Sequence, residues 1–77
     1  MNREDAVKIV MQTLEKNVDG LEMAEEKMKE SLSDLGVDSL DVMLIIMDVA
    51  EASGVNIGDD QAEELDTPEK IVDFITK

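Results

Sequence analysis

One stretch limits what this chain can fold into. From Leu40 to Val49 it is apolar apart from Asp41 and Asp48. Val42, Ile45, Ile46 and Val49 recur at helical spacing and make one stripe. Leu40, Met43, Leu44 and Met47 make a second stripe, offset from the first. A helix on the surface of a bundle shows a single apolar stripe, and one that is apolar all round is enclosed by a large protein or by lipid. A chain of 77 residues is too small to enclose a helix on every side. Either another segment folds over the second stripe, or that stripe stays exposed. Exposure is the expected outcome. Exposed apolar area rimmed by the acids Asp41, Asp48 and Glu51 marks a protein-docking face, and methionine suits surfaces that meet several partners.

The rest of the chain supplies helices to pack against the other stripe. Asn2 is placed to cap a first helix over residues 3–16, with Ala6, Val7, Ile9, Val10 and Leu14 as its core face. Asp19-Gly20 reads as a turn. Residues 17–38 form a long connection holding a helical turn or two, pinned by Leu32 and Leu35. A connection of that length in a small domain is often functional. The second helix runs over 39–52 and ends at Gly54. Asn56-Ile57-Gly58 is a turn with Ile57 directed inward. Asp59-Asp60 opens a short helix over 59–65. Thr67-Pro68-Glu69 opens the last helix, 68–76, with Thr as cap, Pro at the first helical position and an acid in the first turn. No strand alternation competes. The expected fold is all-α: a small four-helix bundle of three main helices and one short one, with a long first connection, in a single domain over 1–77.

Composition removes whole classes of chemistry. The chain has no Cys and no His, which excludes zinc sites, thiol nucleophiles and His-based acid–base catalysis. No catalytic residue and no metal site is expected. The net charge is −13, from 20 acids and seven bases, and no base lies between Lys29 and Lys70. Nucleic acid and anionic membranes are polyanions and are disfavoured partners; basic protein surfaces or divalent cations are favoured. No apolar run reaches the roughly 20 residues of a membrane helix. The N-terminus lacks the basic and apolar regions of a secretory signal. A monomer in the cytoplasm is expected.

Ser39 is the candidate functional residue. It ends the polar run Asp34-Leu35-Gly36-Val37-Asp38 and begins the apolar helix. With no His, and no Lys nearby in sequence, it has no base of its own to make it a nucleophile. A helix N-terminus does suit a phosphate ester, because free N–H groups and the helix dipole stabilise the anion. The simpler role is a helix cap, filled by Asp38 or Ser39.

Leu35-Gly36-Val37-Asp38-Ser39-Leu40-Asp41 closely resembles the attachment motif of acyl carrier proteins. Length, acidity, the long first connection, the helix layout and the closing Thr67–Ile75 segment also resemble that family. The resemblance implies a carrier, not an enzyme. Ser39 would bear 4'-phosphopantetheine, installed by a separate phosphopantetheinyl transferase, and its thiol would hold acyl groups as thioesters for fatty-acid synthesis or a specialised acyl or polyketide pathway. Asp38 would help present Ser39 to the transferase. Leu40, Asp41, Met43, Leu44, Met47, Asp48 and Glu51 would meet acyl-transferring or acyl-modifying partner enzymes. The inner stripe of the second helix would line a space for the acyl chain.

Four positions depart from the family pattern: Leu44 in place of a usual Glu, Ser53 in place of a large apolar residue, Gly58 in place of a common Pro, and Phe74 as the lone aromatic. Leu44 points to a specialised carrier serving a dedicated pathway. The rival reading is a calcium module, since Glu15, Asn17, Asp19, Gly20 and Glu26 have EF-hand spacing. It is weakened by Glu at the first ligand position and by Glu22 where an apolar residue belongs. A small helical adaptor without any cofactor is the third reading.

Overall fold

The computed structural model describes residues 1–77 and is all-helical. Helix α1 spans Arg3–Asn17, α2 Ser39–Ser53, α3 Asp59–Ala62 and α4 Pro68–Ile75. A 3-10 turn over Glu25–Lys29 interrupts the long connection between α1 and α2.

The starts of these helices follow from local chemistry. The Asn2 side chain accepts the Asp5 N–H at 2.8 Å, and Thr67 accepts the Lys70 N–H at 3.2 Å, so each satisfies a donor that the first turn leaves free. Pro68 stands at the first helical position. The ends differ by a residue or so from expectation, within ordinary fraying. Helix α3 differs more: it stops at Ala62, not at residue 65. The Glu64 and Leu65 N–H groups reach back three residues, to Gln61 and Ala62, so the chain tightens into a 3-10 turn. This tightening buries Leu65.

α1 packs against both α2 and α4. Ala6, Val10 and Leu14 of α1, Ile45, Ile46 and Val49 of α2, and Ile71, Val72 and Ile75 of α4 form one core. Met28, Leu32 and Val37 of the connection join it. Leu35 is half-buried against the same core, as is Ile57. The bundle's short dimension is 18 Å, room for about two layers of helices at interaxial distances of 8–10 Å. α2 therefore has a core on one side and none on the other. The connection does not cover the outer stripe: Leu40, Met43, Leu44 and Met47 are 80%, 43%, 52% and 63% exposed.

Charge contributes little to cohesion. There are two ion pairs, Arg3–Asp73 at 2.6 Å and Asp66–Lys70 at 2.8 Å, both exposed and therefore well screened by solvent. Arg3–Asp73 ties the start of α1 to the end of α4. A side-chain bond, Asn17 Nδ2 to Asp48 at 3.2 Å, ties α1 to α2. The departures at Ser53, Gly58 and Phe74 are absorbed locally. Ser53 accepts the Val55 N–H, the Gly58 N–H donates to Gln61, and Phe74 is half-buried beneath the Lys77 ammonium, 5.4 Å from the ring centre.

Gly54 ends α2 with φ +74°, and a Cβ there would meet nothing within 4 Å. Its requirement is purely conformational. Gly54→Ala is expected to lower stability by about 1 kcal/mol, read as a shift in the urea midpoint with an unchanged m-value.

Candidate functional site

The corner before α2 is built by backbone hydrogen bonds. The Leu32 N–H donates to the Asp66 carbonyl at 2.9 Å, which fastens the connection to the link between α3 and α4. The chain then turns on itself. The Gly36 N–H donates to Ser33 and the Val37 N–H to Leu32 at 3.0 Å. Gly36 has φ +95°, a conformation that side-chain-bearing residues rarely adopt. Its would-be Cβ lies 3.7 Å from Val18, an ordinary contact, so the constraint there is in the backbone. Val37, 4% exposed, anchors the corner in the core.

Asp38 and Ser39 follow, and the structure divides their roles. Asp38 is the cap: one carboxylate oxygen accepts the Leu40 N–H at 3.0 Å and the Asp41 N–H at 2.9 Å. Ser39 is the first residue of α2 and is exposed. The sequence left the cap open between the two; Asp38 takes it, so the Ser39 hydroxyl is not consumed in holding the helix start. That hydroxyl stands at the positive end of a 15-residue helix.

Ser39 borders an open groove of about 410 Å³. Leu32, Val37, Val42, Ala62 and Leu65 supply its apolar lining, and Ser31, Ser33, Glu63 and Asp66 its polar rim. Of the inner stripe, Val42 lines this groove, while Ile45, Ile46 and Val49 are buried in the core. A larger cleft, about 590 Å³, is bounded by Lys70, Asp73, Phe74 and Lys77 and takes in no residue of α2. At the groove's rim, a hydrogen bond from Lys70 and the charge of its ammonium hold the Asp66 carboxyl below its ordinary range.

The residues expected to dock partners fall into two groups. Leu40, Met43, Leu44 and Met47 lie one helical turn apart and form a continuous exposed patch that begins beside Ser39. Of the acids around them, Glu51 is exposed and Asp41 half-buried. Asp48 is half-buried, and the Asn17 amide occupies one of its oxygens. Ala62, Leu65 and the Asp66 carbonyl were not singled out from the sequence. Their roles come from contacts across more than twenty residues of chain, which leave no local pattern.

The EF-hand spacing is not assembled as a loop. Glu15 and Asn17 lie in the last turn of α1. The Glu15 carboxylate accepts the Met23 N–H at 2.9 Å, and the Asn17 amide is spent on Thr13 and Asp48.

A family profile described as "Phosphopantetheine attachment site" matches residues 8–75. An acyl carrier protein of Helicobacter pylori is 39% identical over 72 residues, covering 94% of this chain and 87% of the relative. One from Rubrobacter xylanophilus is 35% identical over 80 aligned residues, covering 100% and 95%. One from Buchnera aphidicola is 40% identical over 60 residues, covering 74% and 75%. No solved structure is significantly similar. The chain belongs to the acyl carrier protein family. It is a carrier rather than an enzyme, it bears 4'-phosphopantetheine covalently, and it works with a phosphopantetheinyl transferase and acyl-handling enzymes. No helix is long and apolar enough to cross a membrane. The residues present fit such a group: a hydroxyl exposed at a helix N-terminus, and an apolar groove beside it.

Two expectations follow. Asp38→Ala removes both cap bonds and is expected to cost about 1 kcal/mol in urea unfolding, with Asp38→Asn recovering most of it. In an NMR titration the Asp66 carboxyl titrates below a typical Asp, and Lys70→Gln returns it to the ordinary range. Because its folded-state pKa is depressed, the stability it contributes is present above the unfolded-state pKa and is lost as pH falls through the folded value.

Proposed function

We propose that Ser39 is the attachment residue and that residues 1–77 act as one monomeric carrier unit in the cytoplasm. The observation that carries this reading is the division of labour at the corner: Asp38 caps α2, and Ser39 is left exposed with its hydroxyl uncommitted. The chain has no His to deprotonate that hydroxyl, so the transferase supplies the base. Asp38 holds Ser39 at a fixed helical position and adds a carboxylate beside it for the transferase to recognise. Once attached, the arm's thiol holds acyl groups as thioesters, chemistry that a chain without Cys could not otherwise enter.

The outer face of α2 presents this corner to partner enzymes. Leu40, Met43, Leu44 and Met47 form the apolar centre, and Asp41, Asp48 and Glu51 form an acidic rim that meets basic residues on the partner. The same acidity repels nucleic acid and anionic lipid, so neither nucleic-acid binding nor membrane insertion belongs to the function. Leu44 makes the centre more apolar and the rim less charged than a Glu there would. This favours a dedicated acyl pathway over housekeeping fatty-acid synthesis.

Incubation with coenzyme A and a broadly acting phosphopantetheinyl transferase is expected to add one phosphopantetheine mass, and Ser39→Ala to abolish the gain. An unmodified Ser39 in that assay overturns the assignment. Leu44 is half-exposed, so Leu44→Glu is expected to leave stability within about 0.5 kcal/mol while shifting preference among partner enzymes. Loss of folding in that variant would show instead that Leu44 belongs to the core.

A further inference from the structure

The sulfur in this chain is unevenly placed. There is no Cys, and all six sulfur atoms belong to methionines. Met28 is 7% exposed and sits in the core, and Met11 and Met23 are half-buried against it. Met1 lies before the first helix and is exposed. The other two, Met43 and Met47, stand one turn apart on α2, 43% and 63% exposed. They supply half of the four-residue apolar patch beside Ser39, and Leu40 and Leu44 supply the rest.

We propose that Met43 and Met47 form a reversible oxidation site that switches the docking face in response to peroxides; this rests on the reading of that face as the docking surface. In the step, a thioether sulfur attacks one oxygen of the peroxide and the O–O bond breaks. An S–O bond forms, and the second oxygen leaves and takes up a proton as water or an alcohol. Sulfur is oxidised by two electrons and the peroxide is reduced by two. Methionine sulfoxide reductases reverse the change with a dithiol as reductant.

The placement decides the consequence. A sulfoxide is polar and accepts hydrogen bonds, so putting one at the dry centre of an interface removes apolar contact and buries an unpaired acceptor. The fold is spared, because the face that changes is not the one packed on α1. The buried stripe of Ile45, Ile46 and Val49 contains no sulfur. Oxidation at this site therefore separates binding from stability, whereas oxidation at Met28 would damage the core.

The test uses the apo chain, so that no prosthetic thiol competes for oxidant. Limited hydrogen peroxide treatment and peptide mass mapping are expected to find Met43 and Met47, together with the exposed Met1, oxidised well before Met28, Met11 and Met23. The twice-oxidised chain should keep its unfolding midpoint and show a KM for the phosphopantetheinyl transferase raised by about tenfold, equivalent to about 1.4 kcal/mol. Treatment with methionine sulfoxide reductases should restore it. A Met43→Leu, Met47→Leu variant, whatever its own starting KM, should show no change in that KM on peroxide treatment. Equal oxidation of Met28, or an unchanged KM in the oxidised chain, overturns the proposal. Leu40→Ala distinguishes the two readings. If it raises KM while oxidation does not, only the switch fails; if neither raises it, the docking reading fails as well.

Discussion

The packing of one face of α2 onto α1 is the interaction on which the rest depends. Ile45, Ile46 and Val49 are essentially removed from water there, in one core with Ala6, Val10 and Leu14. A chain with 20 acids and seven bases repels itself, and two exposed ion pairs do little against that. Apolar burial must hold the fold, and in a bundle two helices thick it uses only one side of α2. The side left over is not a defect of a small protein. It leaves Leu40, Met43, Leu44 and Met47 exposed beside Ser39, the face proposed above to meet partner enzymes.

The same geometry places the corner that carries Ser39. Because α2 is held by its inner stripe, its N-terminus is held too. The chain reaches it through a turn anchored by Val37 and fastened by the Leu32–Asp66 backbone bond. Asp38 closes the helix start, and Ser39 projects beside the exposed patch and the groove. The proposed attachment residue, the exposed patch and the groove thus adjoin one another at the N-terminal half of one helix. This suits a protein whose function is to be handled by others and whose own chain performs no chemistry.

Much of this was legible in the residues. The starts at Asn2 and Thr67-Pro68-Glu69, the stop at Gly54 and the two stripes of α2 are local signals, carried by capping chemistry and periodicity. The motif around Ser39 resembled acyl carrier proteins strongly enough to name the prosthetic group. Other features had no local signal. Within the connection, the single helical turn over Glu25–Lys29 agrees with the weak apolar pattern of Glu22–Glu30, but that it buries Met28 was not visible locally. The shortening of α3 reflects the burial of Leu65, a tertiary demand. Whether the second stripe was covered depended on where residues 17–38 travel, and that path is set by long-range contacts: the burial of Met28, Leu32 and Val37 in the core and the Leu32–Asp66 backbone bond.

The most direct test of the account is the mass of the protein isolated from its native cell, with peptide mapping across the start of α2. The account predicts one phosphopantetheine on Ser39, bare or carrying an acyl group whose mass would also identify the cargo. A chain whose Ser39 is unmodified throughout, or whose arm is carried elsewhere, would contradict it.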